Sequence, residues 1–266
     1  MQDFAHSTRL LWTGKAPKKL SRWTDLCRLS LSCRLSPRLS QRILDFEVKC
    51  LDAHSLRYLY REIFVNEEYL FPSDTESPVI FDCGANIGMA TLFFKWLFPR
   101  SRITAFEPDP TTFQVLCRNV EENRLSHVAV HNVALWKEDG AVPFFVPEDR
   151  PGSLAMSTNR SRSRGKQIIV PSRKLSGYVN GPIDLLKVDI EGAEHQLLCD
   201  LVNSGKLEQV RQMIIEYHPN ISADGGQLGA FLSMLEGCGM RYQIGSSISP
   251  IAQHGRFQDV LLYAYR

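Results

Sequence analysis

The chain has 266 residues, of which 44% are hydrophobic, 23% charged and 10% aromatic. This is the balance of an ordinary globular protein, and it excludes collagen-like, disordered and disulfide-scaffold classes. The net charge of +2 conceals an asymmetry: residues 1–42 hold nine Lys/Arg against Asp3 and Asp25, a local +7, which leaves −5 for the remainder.

Residues 1–42 read as a basic N-terminal extension, rich in Ser, Arg and Leu, forming a solvated or loosely docked helix pair whose charge suits contact with something anionic, the acidic body included. It lacks the continuous apolar core of a secretory signal. No apolar run in the chain reaches the roughly 18 residues that span a bilayer. The seven scattered cysteines form no CxxC pair, so a zinc ribbon or disulfide framework is not expected and a cytoplasmic, reducing setting is.

Residues 43–78 read as a helical N-terminal cap, with Leu56, Leu59, Tyr60 and Ile63 at helical spacing between Ile43 and Phe64. Strands and helices then alternate through residues 79–266. Val79–Asp82 is a buried strand and Gly88–Phe98 its helix. Arg102–Glu107 and Asp109–Asn123 form the next pair, and His127–Val133 a third strand. Ala141–Val146 and Gln167–Val170 are arms of a hairpin. Asp184–Asp189, Ala193–Asn203, Arg211–Tyr217 and Gln227–Leu235 continue the alternation, and Arg241–Ile244 with Asp259–Tyr265 closes it. The pattern predicts an α/β fold, an open, mostly parallel, doubly wound sheet.

Such sheets bind ligands beyond the carboxyl ends of their strands. The first strand runs through Asp82-Cys83-Gly84-Ala85-Asn86-Ile87-Gly88 into a helix. Gly84 and Gly88 let backbone come close to a ligand, Asn86 tolerates left-handed angles, and Asp82 can order the loop or receive an amine. Glu107, at the end of the second strand and followed by Pro108, is placed to accept both hydroxyls of a ribose. The loop lacks the further glycines of a dinucleotide fingerprint. S-adenosylmethionine, with an amine, a carboxylate and a sulfonium but no phosphate, suits it better than a nicotinamide cofactor. A nicotinamide-dependent dehydrogenase and a non-catalytic binding protein on the same fold stand as the alternatives.

The strings VIFDCGANIG (79–88), AFEPDP (105–110) and LLKVDIEGAE (185–194) resemble the FkbM-type S-adenosylmethionine-dependent methyltransferases over roughly residues 56–264. The resemblance implies a Rossmann-like, seven-stranded enzyme that methylates an oxygen of a small molecule, a hydroxyl or a carboxyl or carbamate, in sugar or secondary metabolism. By position it implies that Asp82, Gly84, Ala85, Asn86 and Gly88 line the methionine end of the cofactor, with Glu107 and Pro108 at the ribose. Asn132, Val133 and Ala134 would form the adenine rim, Asp189 would lie beside the sulfonium, and Tyr69 would close the pocket from the N-terminal side.

Methyl transfer to a hydroxyl needs alignment and a proton acceptor. His218 is the first choice as general base because its side chain titrates nearest neutrality, with Asp189, Glu191 and Glu216 as further candidates. These four offer oxygen and imidazole donors for a divalent cation, but no spacing demands one, and no metal is assigned. Lys187, on a central strand, is expected in a salt bridge. The stretch 147–166 carries Arg150, Arg160, Arg162, Arg164 and Lys166, with Ser153 among them. It reads either as a solvated excursion or as a lid whose cations would favour an anionic acceptor. Few aromatics interleave these cations, so nucleic acid is not an expected partner.

Overall fold

The computed structural model describes residues 18–35, 39–147, 154, 156–160, 163, 165–219, 228–245 and 260–266. Of the lid stretch, Arg150, Ser153, Arg162 and Arg164 lie outside the described residues.

The main sheet has seven strands: β3 (Val79–Cys83), β4 (Arg102–Phe106), β5 (Val128–His131), β9 (Leu185–Val188), β10 (Gln212–Tyr217), β11 (Arg241–Gly245) and β12 (Val260–Tyr265). Their spatial order is β11-β12-β10-β9-β3-β4-β5. Neighbours from β10 through β5 pair in parallel, and β12 runs antiparallel to both β10 and β11. The chain winds outward from β3 to β5, returns to β9 and winds the other way, so the order reverses between β3 and β9. All four residues of β9, Leu185 to Val188, are buried, as a central parallel strand covered on both faces requires.

The covering helices are α3 (Met89–Leu97), α4 (Pro110–Glu122), α5 (Glu194–Asn203) and α6 (Leu228–Gly237). α4 starts where Asp109 accepts the Thr112 amide at 2.8 Å and Pro110 occupies the first turn. α3 has no solvent face: Met89 through Trp96 are all buried. The sheet lies on one side of it and an N-terminal layer on the other, where Phe64 meets Phe93 edge-on with ring centroids 5.2 Å apart.

That N-terminal layer departs from the helical expectation at its start. Ser40–Ile43 (β1) and Phe46–Lys49 (β2) form a hairpin, with Ile43 opposite Phe46 and Leu44 at φ 51° in the turn. Asn119 of α4 pins it, accepting the Lys49 amide at 2.7 Å and donating to the carbonyls of Lys49 and Ile87. Tertiary pairing thus overrides the local helical spacing of Ile43. The helix α2 spans Ala53–Tyr60, capped by Asp52, and runs on through one wide π turn, Arg61–Val65. Leu56, Tyr60 and Ile63 of the expected stripe are buried in it. Ahead of the hairpin, α1 (Lys18–Leu35) docks by Arg22, Leu26, Leu29 and Cys33.

The expected third strand, His127–Val133, is shorter, ending at His131. After β5 the chain leaves the main sheet, and Ala134–Leu135 (β6) joins β7 (Gly140–Val146) and β8 (Lys166–Arg173) in a small sheet of order β6-β8-β7. Among the described residues no helix is long and apolar enough to cross a membrane.

Candidate active site

A cavity of about 940 Å³ opens at the carboxyl ends of β3, β4, β9 and β10, beside the reversal in strand order. Its floor is built from Gly84, Ala85 and Asn86 after β3, Glu107 and Pro108 after β4, and Asp189 and Glu191 after β9. Glu216 of β10 joins them, Val133 and Ala134 line one side, and Tyr69 another.

The loop after β3 is shaped by its neighbours. Gly84 has φ 81°, and a Cβ there would lie 1.7 Å from the Asp189 carbonyl oxygen. Gly88, at φ 93°, leaves room for Leu116 of α4. The close approach a Cβ would block is to the protein's own chain at both positions, and Gly88, unlike Gly84, does not line the cavity. Gly88 and Asp82 are absent from the cavity wall. The amides of Gly84 and Ala85 both bond the Phe106 carbonyl, at 3.0 and 2.9 Å, and Asn86 takes φ 49° with its side chain accepting from the Ile87 amide.

Glu107 closes the loop. Its carboxylate accepts the Asn86 amide at 2.9 Å on one oxygen and the Asp109 amide at 2.9 Å on the other. Each oxygen keeps a second lone pair, so two hydroxyl donors from the cavity can still be accepted. Burial pushes its pKa up to about 8, against the pull of the two amides. Asn132 stands behind it, donating to the carbonyls of Glu107 and Pro108 at 2.8 and 3.0 Å rather than lining the cavity.

Asp82 is fully buried beneath the loop. It accepts from the Thr91 hydroxyl at 2.7 Å and faces Lys187 Nζ at 3.4 Å. Lys187, itself buried, donates to the Gly84 carbonyl at 2.7 Å and lies 3.6 Å from Asp189 and 5.3 Å from the Tyr69 ring centroid. Burial alone would lower its pKa, but Asp189 and Asp82 carry it above the ordinary lysine value. The expected salt bridge is present, and it ties β3, β9 and the loop together.

His218 is absent from the cavity wall, and its side chain is fully buried. Nδ1 meets Glu194 at 2.8 Å, and Nε2 lies 3.4 Å from Glu191 and 4.0 Å from Glu216. Burial opposes its charge, yet the bond to Glu194 and the charges of Glu194, Glu191 and Asp189 raise its pKa to about 10. At neutral pH it is an imidazolium with no free ring lone pair to take a proton, which corrects its expectation as general base. Asp189, Glu216 and His218 bring ligand atoms within 4.8 Å of one another, a grouping able to hold a cation. Any ion there would have to displace the proton on His218.

Glu194 ends the string LLKVDIEGAE, and its sequence position alone assigns it no role. It also accepts the Gly192 amide at 2.9 Å, bracing a turn in which Glu191 takes φ 52°. The other wall the sequence reading missed comes from the N-terminal layer: His54, Ser55 and Tyr58 of α2, Glu62 of the π turn, and Glu68. Glu62 and Glu68 are bonded through their side chains, and burial with the Glu62 charge pushes the pKa of Glu68 to about 8. Only the polar positions between Leu56, Tyr60 and Ile63 hinted at this wall. Arg160 and Lys166, the described cations of the lid stretch, do not line the cavity.

A family model described as the methyltransferase FkbM domain matches residues 82–242. The chain is 32% identical over 180 residues to Methyltransferase 1 of Beauveria bassiana, covering 59% of this chain and 72% of that protein. It is 27% identical over 221 residues to the 31-O-demethyl-FK506 methyltransferase FkbM of Streptomyces tacrolimicus, covering 71% and 83%. Among solved structures it aligns with a methyltransferase FkbM of Methylobacillus flagellatus KT at 18% identity and a TM-score of 0.49, over 80% of this chain and 54% of that one, about half its length. The chain belongs to the FkbM methyltransferase family, the S-adenosylmethionine-dependent methyltransferases its sequence resembles.

Proposed function

We propose that this methyltransferase acts on an oxygen of a small molecule, a hydroxyl or a carboxyl or carbamate, with S-adenosylmethionine held between the β3 loop and Glu107. The observation that carries the cofactor assignment is the 2.9 Å bond between the Glu107 carboxylate and the Asn86 amide on the floor of the cavity. It fixes an acceptor for two ribose hydroxyls next to a loop that can take the amino-acid end. Gly84, Ala85 and Asn86 would hold that end, Val133 and Ala134 the rim of the adenine, and Asp189 would face the sulfonium. When bound, the cofactor supplies an electrophilic methyl group.

The chain's own residues do the rest. Asp189, Glu191 and Glu216 line the cavity near the expected methyl position and receive the acceptor's proton. His218 acts behind them as a positioning residue, its charge balancing Glu191 and Glu194. Tyr69, whose hydroxyl is 3.5 Å from Asp189, closes the floor from the N-terminal side. The acceptor enters against Tyr58, Glu62 and Glu68. The described wall is rich in carboxylates, so a neutral polyhydroxyl or cationic acceptor fits it better than an anion.

Small-molecule extracts incubated with the enzyme and a deuterated-methyl cofactor test this reading. A product heavier by one labelled methyl, released by conditions that cleave ethers or esters, supports oxygen transfer. A labelled product stable to both, or label found on macromolecules, contradicts it.

A further inference from the structure

Among the described residues, none of the basic segment lines the cavity, and α1 shows what that segment presents. Its inner face is spent on the body: Arg22 bonds the Phe64 carbonyl at 2.8 Å and pairs with Glu67, while Leu26 and Leu29 enter the core. Its outer face is also apolar. Trp23 is 52% exposed, Leu31 57% and Leu35 75%, and Cys27 is exposed between them. Spaced four residues apart, these side chains form one gently spiralling stripe along a helix of about 27 Å.

Charge decides what covers this stripe. Arg28 and Arg34 are exposed beside it. The sequence has no Asp or Glu from residue 26 to residue 44, while Arg28, Arg34, Arg38 and Arg42 fall in that interval. Asp25 is already engaged with Arg28 and the Leu44 amide. An outward face of Trp and Leu flanked by arginines, with no acid, has the composition of a helix lying in a lipid interface. An acidic protein would need apolar sockets in register with four side chains, whereas an anionic bilayer meets both demands without any register.

We propose that the outer face of α1 docks the protein onto an anionic lipid surface, with Trp23, Leu31 and Leu35 entering the headgroup boundary and Arg34, whose charge no acid on the helix neutralises, at the phosphates. This goes beyond the catalytic reading and stands independently of it.

Sedimentation of the full chain with vesicles tests it. Vesicles of phosphatidylcholine with about 30% phosphatidylserine should carry the protein down, and neutral phosphatidylcholine vesicles should not. Raising the salt to about 0.5 M should weaken capture. The double substitution Leu31→Glu/Leu35→Glu should lower the partition coefficient at least about tenfold, with the thermal midpoint unchanged because both side chains face outward. Arg34→Glu should weaken capture by anionic vesicles less severely. Equal capture by neutral and anionic vesicles, or capture unaltered by the double substitution, would overturn the proposal. So would light scattering that shows a dimer dissolved by the same substitution, with no lipid capture, since the face would then join two copies.

Discussion

His218 and Glu194 meet 2.8 Å apart behind the cavity, both side chains almost wholly buried, and the same carboxylate oxygen accepts the Gly192 amide. The pair links the end of β10 to the first turn of α5. It holds the turn from Asp189 to Glu194 in which Glu191 takes a left-handed backbone conformation.

His218→Gln should therefore destabilise the protein by about 3 kcal/mol or more at neutral pH, because Glu194 keeps its burial and loses its cation. The pH dependence has a definite sign. With its folded pKa raised to about 10, the histidine's contribution is full below its unfolded value near 6.5 and is lost as pH rises through about 10. The stability gap between wild type and variant, measured by denaturant unfolding, should shrink between about pH 7 and pH 10. A gap that widens over that interval contradicts the assignment of a native imidazolium.

Glu107 titrates in the same sense for stability, at lower pH. Its pKa is raised to about 8 by burial, so the folded state holds the proton more tightly than the unfolded state. This group's favourable contribution is complete below about pH 4.5 and is lost as pH rises through about 8. Hydroxyl donors favour the carboxylate, so cofactor affinity should rise between about pH 6 and pH 8 and level off above, with proton release detectable by calorimetry in buffers of different ionisation enthalpy. Glu107→Gln should flatten that profile. A wild-type profile already flat would count against ionisation of Glu107 in the complex.

Gly84→Ala should be among the most disruptive single substitutions in the chain. Its Cβ would fall 1.7 Å from the Asp189 carbonyl oxygen, and the residue sits at φ 81°. Either the loop or the start of the Asp189 turn must move, at a cost of about 3 kcal/mol or more. Thermal unfolding measures it. A midpoint within a degree or two of wild type would show that the two segments are not in the contact described.

The fold was largely legible because its signals are local. Val79–Cys83 and Leu185–Val188 are short, mostly apolar runs with an acidic residue, Asp82 or Asp189, at or just past the end, and α4 announces itself through Asp109 and Pro110. What the sequence hid depends on distant contacts. Ile43 continues a helical spacing, but pairing with Phe46 and the grip of Asn119 on Lys49 make that region a hairpin. In the site, Glu107 was readable because a strand end followed by proline fixes where a carboxylate points. His218 was misjudged because its charge is set by Glu194, 24 residues away and brought in by the β9–α5 crossover. The wall of Tyr58, Glu62 and Glu68 was invisible for the same reason, since nothing local says that the N-terminal layer folds over the strand ends.

The most direct test of the central claim is equilibrium binding of S-adenosylmethionine to the wild-type chain and to Glu107→Ala. The wild type should bind, and loss of both hydroxyl acceptors should weaken binding by at least about a hundredfold, two charge-assisted hydrogen bonds at roughly 1.5 kcal/mol each. A wild type with no affinity, or a folded Glu107→Ala variant that binds as well as wild type, would contradict the account.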